Sequence, residues 1–419
     1  MFLQAIILGG GVIITSVLQA QQDFRLPAIG TVLYNVGNIL GLLPGLALAI
    51  AGHREGNENL AVYCAAVGVV LGAALNIGIQ VPGLRKVGMR YKPDFNWRLP
   101  GISQIGKQML PRIFNASVLS VATFFDRLLI GLLAVGGLLT QYYQAFQLLL
   151  LPLGIFGASM STAAFPTLTE YFAKNRLDRF RSVILETLRS ILVLSIPSGI
   201  GLIILAEPII QTLLGHGSFS PENAASMAIP LAFFAVGLAG LAAVEILTRS
   251  FYAMSDSRTP VIISILQFAF KIALGLLFLE PFTRLGGSSW GASWGMGALA
   301  FSTSISNLAE AVVLFLILDQ RIGEMLKPEL LYFILRVLGA SLCMGVVVLV
   351  SRILLDTLTD TVLHIGPNGL IGFLSSLIKL VIELFAGTFV YLRSSRFFKI
   401  EELGPIRRLL NRFKLSWMM

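Results

Sequence analysis

The chain is a succession of long apolar blocks separated by short polar segments. A bilayer core takes about 20 mostly apolar residues per helix. That ruler predicts eleven spans, at approximately 2–20, 28–51, 60–84, 108–135, 138–166, 190–214, 224–252, 260–280, 290–318, 331–355 and 369–392. The connections are short, so no inserted soluble domain is expected. Met1 leads into a span without a basic n-region or cleavage site, which gives no sign of a signal peptide. The fold class is all-α, a polytopic membrane bundle of about eleven transmembrane helices.

Arginine and lysine sort onto alternate connections. One set carries Arg25, then Arg85, Lys86, Arg90, Lys92, Arg98 and Lys107, then Lys174, Arg176, Arg179 and Arg181. It continues with Arg258, Arg321, Lys327 and the tail from Arg393 to Lys414, whereas the other set holds only Arg54 and Arg284, with Arg352 near a span end. The positive-inside bias makes the basic side cytoplasmic and puts the C-terminus inside and Met1 outside. The expected placing is a multi-pass one in a cell membrane.

Composition narrows the function. Hydrophobic residues are 56% and charged residues 13% of 419, against roughly 45–50% and about 25% in ordinary globular chains, and the mean hydropathy is +0.82. The formal charge of +9 is therefore a topology signal, and no nucleic-acid partner is expected. The tail, with Arg407, Arg408, Arg412 and Lys414 beside Leu409, Leu410, Phe413 and Trp417, can lie on anionic membrane lipid as an amphipathic helix. Cys64 and Cys343 lie in apolar runs, and His53, His216 and His364 lie in connections, so neither a disulfide framework nor a metal centre is indicated. No nucleophile–base constellation and no P-loop stands out. An enzyme and a cofactor are not expected, and an ion gradient or membrane potential is left as the driving force for transport.

Two turns share one pattern. Asp23-Phe-Arg25-Leu-Pro27 and Asp256-Ser-Arg258-Thr-Pro260 each follow an apolar span and open the next, at an offset of 233 residues (256 − 23). In each, Asp caps, Arg meets headgroup phosphate, and Pro opens a helix where its missing N–H costs nothing. Their equivalent places suggest duplicated halves, a common transporter plan. A second half starting near 102 and shifted by 233 begins at −131, so the first half is expected to lack roughly 130 residues, or three spans. The organisation read from this is 1–87 as an incomplete N-lobe of three helices, 88–107 as a basic cytoplasmic loop, and 108–320 as a six-helix C-lobe. Two C-terminal helices at 331–392 and a basic cytoplasmic tail at 393–419 complete it.

Several stretches carry a family likeness. They include Phe24-Arg-Leu-Pro-Ala28 with Asn35, Gln80-Val-Pro-Gly-Leu-Arg-Lys-Val-Gly-Met-Arg-Tyr91, Met109-Leu-Pro-Arg112 and Leu151-Pro-Leu-Gly-Ile-Phe-Gly157 with Ser161-Thr-Ala-Ala-Phe-Pro166. Leu205-Ala-Glu-Pro208, Gly217-Ser-Phe219 and Arg249-Ser-Phe-Tyr-Ala-Met-Ser-Asp-Ser-Arg-Thr-Pro260 continue the series. From about residue 18 to 320 the chain resembles the MurJ (MviN) family of lipid II flippases, in the multidrug/oligosaccharidyl-lipid/polysaccharide exporter superfamily. The resemblance implies two six-span lobes around a central cavity, with two further helices forming a groove for a lipid tail. It implies alternating-access movement of undecaprenyl-linked peptidoglycan precursor across the cytoplasmic membrane for cell wall synthesis. The implied partners are a polyprenyl-pyrophosphate-linked saccharide and the cell wall synthesis machinery. Aligning on Pro152 puts Gln147 where the family usually has an arginine. Arg127, Arg249, Gln147 and Asn35 are the candidate substrate contacts. Export of another polyprenyl-linked saccharide or a drug is the alternative, as is a non-transporting remnant.

Charges inside spans need reasons, since each costs about 2.5–3.5 kcal/mol on insertion scales. Asp126 and Arg127 are neighbours and point about 100° apart on a helix. Glu245 with Arg249, and Lys379 with Glu383, are four apart with facing side chains, which permits self-neutralisation. The resemblance also implies a sodium-type cation site, with Asp126 matching its acid. Lys271 falls where an amide-rich face belongs, and its repeat mate is Asn38. Lys271 reaching Asp126 as a substitute for the cation, with Thr303 nearby, is one reading; pairing of Lys271 with Glu310 or extension to water is the other. Glycine and proline within spans (Gly9 to Gly11, Pro152, Pro197, Gly286 to Gly297) read equally as hinges or as close-packing positions.

Overall fold

The computed structural model describes residues 2–20, 23, 25–50, 58–86, 124–133, 135–215, 219–323, 325–359, 369–400 and 402. The basic loop 88–107, most of the expected 108–135 span, Met109 to Arg112, the three histidines and the tail from 403 lie outside the described residues. Regular structure among the described residues is entirely helical. The helices are α1 (Phe2–Ala20), α2 (Arg25–Ile50), α3 (Glu58–Lys86), α4 (residues 124–131), α5 (Leu138–Pro152), α6 (Ser159–Ala173) and α7 (Leu177–Leu214). They continue as α8 (Pro221–Val236), α9 (Leu238–Ala253), α10 (Arg258–Leu285), α11 (Gly287–Ile322), α12 (Pro328–Thr357) and α13 (Gly369–Phe397).

Nine of these, counting Leu138–Ala173 as one, are long and apolar enough to cross a membrane, and the bent pair α8 and α9 makes a tenth. They answer to ten of the eleven expected spans. Two differ from simple rods. The 138–166 span runs on to Ala173 through a π-helical turn at Leu153–Ala158, directly after Pro152, whose missing N–H leaves the carbonyl four residues back without its helical donor. The 224–252 span is broken by 46° at Gly237. There the hydroxyl of Ser304 donates to the carbonyls of Phe233 (2.7 Å) and Phe234 (3.1 Å). A Cβ on Gly237 would stand 2.5 Å from Ser304 Cα, so glycine is what allows α11 to reach the break.

The chain divides into two compact units, Met1–Ile105 and Gly106–Met419. In the first, α2 lies on α3 through facing glycines: a Cβ on Gly37 would meet Gly72 Cα at 2.3 Å, and one on Gly41 would meet Gly68 Cα at 2.4 Å. Lipid offers no hydrophobic drive between helices, so such backbone proximity is how the pair gains dispersion contact. Its polar groups bond inward: Thr15 donates to Gln80 (2.8 Å), and Gln80 donates to Asn76 (2.9 Å).

In the second unit, α7 is central and packs on α6, α8, α9, α12 and α13. It holds two prolines, each of which frees the carbonyl one turn earlier. The hydroxyl of Tyr391 on α13 donates to Val193 O at 2.5 Å, and Arg352 Nη1 on α12 donates to Ile204 O at 2.7 Å. Pro197 and Pro208 are four residues beyond those carbonyls. The antiparallel pair α12 and α13 is thus joined to α7 at the two places where α7 cannot satisfy itself.

Candidate functional site

Among the described residues of the second unit, a run of paired polar side chains lies between α10 and α11. On α10 the residues Ser264, Gln267 and Lys271 recur at three- and four-residue steps, as do Thr303, Asn307 and Glu310 on α11, so each trio lies along one helix face. Ser264 donates to Glu310 Oε1 at 2.7 Å, and Gln267 donates to Asn307 Oδ1 at 3.0 Å. One turn further, Lys271 Nζ donates to Asp126 Oδ2 at 2.8 Å. The side chains of Lys271 and Asp126 are 14% and 12% exposed. Edge-to-face packing of Phe125 on Phe268, with centroids 6.1 Å apart, holds α4 against α10 beside this pair.

Lys271 therefore has Asp126 as its partner, and Glu310 is taken by Ser264. Thr303 is buried and donates to Leu299 O at 2.9 Å. Beside it the buried Tyr142 hydroxyl completes no hydrogen bond of good geometry. Among the described residues the Lys271 ammonium bonds the Asp126 carboxylate, while Tyr142 lies on α5 and Thr303 and Asn307 on α11. Ser264, Gln267, Asn307 and Tyr142 were not among the sequence candidates, although the spacing of Ser264 and Gln267 with Lys271, and of Asn307 with Thr303 and Glu310, was present in the chain.

Asp126 and Arg127 do diverge. Asp126 is buried, while Arg127 is exposed and stacks over the Tyr143 ring, with its guanidinium carbon 5.8 Å from the centroid. Gln147, one turn along α5 from Tyr143, is exposed too. Among the described residues no carboxylate lies within ion-pair distance of Arg127. Arg249 pairs with Glu245 at 3.5 Å, and its Nε is buried without a partner. Asn35 lies in the first unit, is exposed, and donates to Thr31 O at 3.2 Å.

The pairing of Lys379 with Glu383 is not what forms. Lys379 Nζ donates to Asp356 Oδ1 at 2.9 Å and to Thr359 Oγ1 at 3.2 Å. An i,i+4 pair on one helix loses to a carboxylate on the adjoining helix that meets the ammonium head-on. Sequence spacing cannot show that competitor.

The two repeated turns have matching backbones. The N–H of Asp23 donates to Leu18 O (2.9 Å) and that of Asp256 to Phe251 O (3.0 Å), the six-to-one closure of a Schellman motif. In each the aspartate accepts from the arginine N–H two residues on, at 3.1 Å from Arg25 and 3.0 Å from Arg258. Pro27 and Pro260 are buried, and Arg25 and Arg258 are exposed. In the second turn Thr259 and Arg321 also bond the Asp256 carboxylate. Partial burial alone would push that carboxyl up, but the bonds from Thr259 and Arg321 outweigh it and hold it at about 2, below the usual 3.8.

A model of the family described as lipid II flippase MurJ matches residues 1–365. The probable lipid II flippase MurJ of Haemophilus influenzae is 29% identical over 340 residues, which are 80% of this chain and 62% of that protein. The lipid II flippase MurJ of Burkholderia cenocepacia is 28% identical over 335 residues, 79% of this chain and 61% of that one. The probable lipid II flippase MurJ of Thermotoga maritima is 28% identical over 393 residues, 94% and 69% respectively. The chain thus spans about 62% of the length of the Haemophilus relative. A solved structure of lipid II flippase MurJ in an inward closed conformation has the same fold, with a TM-score of 0.67 at 22% identity over 95% of this chain and 71% of that one.

Proposed function

Because the chain belongs to the lipid II flippase MurJ family, we propose that it serves to move an undecaprenyl-pyrophosphate-linked peptidoglycan precursor across the cytoplasmic membrane by alternating access. No bond is made or broken in such a step. The residues must hold a pyrophosphate on one side, release it on the other, and make the change of state depend on an energy source.

The observation that carries this reading beyond family membership is the exposed Arg127 over Tyr143 on the face that also bears Gln147. A guanidinium presents parallel donors to phosphate oxygens, and stacking on an aromatic ring keeps it extended. Gln147 adds an amide donor but no charge, so the anion's hold on this face rests on Arg127. Arg249, tied to Glu245, contributes less.

The coupling reading concerns the buried pair. Lys271 places its own charge 2.8 Å from Asp126, as a bound monovalent cation would, and so makes the second unit independent of sodium. The basic side of the chain is the cytoplasmic one in this scheme.

The test of function is rescue. Expressed in bacteria depleted of their own lipid II flippase, the protein should restore growth and the appearance of lipid II in the outer leaflet, and Arg127→Gln should abolish rescue at unchanged membrane abundance. Full rescue by the Gln variant would remove Arg127 from the substrate path. No rescue by the parent chain, present in the membrane at normal levels, would count against the transport reading itself.

A further inference from the structure

A second charge cluster lies where the last two helices rest on α7, away from the α10–α11 ladder. Arg352 of α12 donates Nη1 to Ile204 O and Nη2 to Glu207 of α7, both at 2.7 Å, and its Nε is 3.8 Å from Asp356. Asp356 in turn accepts from Lys379 of α13 at 2.9 Å. The register of α12 and α13 follows from two contacts. Lys379 meets Asp356, and a Cβ on Gly387 would meet Val348 at 2.8 Å. Both pairs of numbers sum to 735, so the antiparallel partner of Glu383 is Arg352.

Glu383 is 1% exposed, and its Oε2 accepts no hydrogen bond. The charged groups around it are Arg352 and Asp356 from α12 and Lys379 from its own helix, with Glu207 of α7 beyond the guanidinium. The hydrogen bonds that these cations form among the described residues go to Ile204 O, Glu207, Asp356 and Thr359. Among the described residues, three carboxylates (Glu207, Asp356, Glu383) face two cations (Arg352, Lys379), which is one negative charge in excess if all are ionised. A surplus charge within a membrane helix pair, on a carboxylate whose Oε2 lacks a donor, is the costliest arrangement available to the cluster. A proton on that same oxygen removes it and turns an unsatisfied acceptor into a hydroxyl.

We propose that Glu383 is a proton-binding site, carrying a proton in the folded protein at neutral pH that brings the cluster to zero net charge and lets α12 and α13 close on α7. The proton's departure leaves an unpaired carboxylate in the seam, so the docking of the last helix pair is set by protonation. The site stands apart from the proposed substrate and cation residues, and it holds whatever the transported molecule is.

Infrared difference spectroscopy of the purified full-length protein in lipid nanodiscs tests this directly. At neutral pH the protein should show the C=O stretch of a protonated carboxyl group, and Glu383→Gln should lose that band. Absence of the band, or its persistence in the Gln variant, overturns the proposal. Disappearance of the band on adding sodium chloride at constant pH would also overturn it, because a metal ion would then compete for the oxygen. Thermal unfolding supplies a second readout. Glu383→Gln, a neutral side chain of the same shape, should unfold at the parent temperature or above, while Arg352→Gln should unfold several degrees lower. A loss for Glu383→Gln equal to that for Arg352→Gln would make Glu383 an ionised structural counter-charge.

Discussion

Asp256 sits between α9 and α10, and four donors converge on its carboxylate: the N–H groups of Arg258 and Thr259, the Thr259 hydroxyl and the Arg321 guanidinium. Its capping role was legible in the Asp-x-Arg-x-Pro pattern, because the cap needs only residues next in sequence. Arg321, 65 residues away, was not, since no local rule selects which of many basic residues folds back onto a turn. Asp256→Ala should cost about 1 kcal/mol, as for other lost helix caps. The carboxyl is held at about 2 in the fold against an ordinary 3.8, so the folded state favours the ionised form. Its contribution is fully present above the unfolded value and is lost as the pH falls through the folded value. Parent and Asp256→Ala proteins should therefore differ in melting temperature at pH 7 and converge near pH 2. A gap that stays constant down to pH 2 would mean that the carboxylate's charge contributes nothing.

At the scale of elements, α7 shows how two sequence features become one assembly. Pro197 stood out in the sequence as a hinge or packing position and Pro208 only as part of a family motif, and the groups that bond the carbonyls they free, Tyr391 and Arg352, lie 198 and 148 residues from those carbonyls. Tyr391→Phe removes the donor to a buried carbonyl and should cost about 1–3 kcal/mol. In a Pro197→Ala background the helix supplies its own N–H to Val193 O, and the same change should cost far less. Chemical unfolding of the four proteins of this cycle measures the difference, and an equal cost in both backgrounds would mean that Tyr391 acts by packing alone. The spans themselves were legible because a bilayer imposes length and apolarity on every helix. The break at Gly237, the π-helical turn after Pro152, and the choice of Asp356 over Glu383 by Lys379 were not, because each depends on what another helix presents. The polar ladder of α10 and α11 lies between these cases: its spacing was in the sequence, but only the facing of the two helices joins Gln267 to Asn307 and Ser264 to Glu310.

For the molecule as a whole, the question is what drives it, and the Asp126–Lys271 pair makes the answer measurable. Removing one partner of a buried pair leaves an unpaired charge, which is strongly destabilising, whereas removing both is far milder. A purely structural pair thus predicts that Lys271→Asn is unstable in every salt and that Asp126→Asn with Lys271→Asn recovers. The substitute-cation reading predicts something further. With the ammonium gone, the Asp126 carboxylate and the new amide remain as oxygen ligands, and sodium should take the place of the ammonium. A ligand at about 100 times its dissociation constant adds roughly 2.7 kcal/mol to the folded state, a shift of several degrees. The parent protein should have the same melting temperature in sodium, potassium and choline chloride. Lys271→Asn should be destabilised in choline and recover in sodium. The double variant, having lost the acid, should recover in all three without discriminating. A single variant that stays equally destabilised in all three salts would reduce the pair to a structural ion bridge, and the energy source would then have to act through another part of the chain.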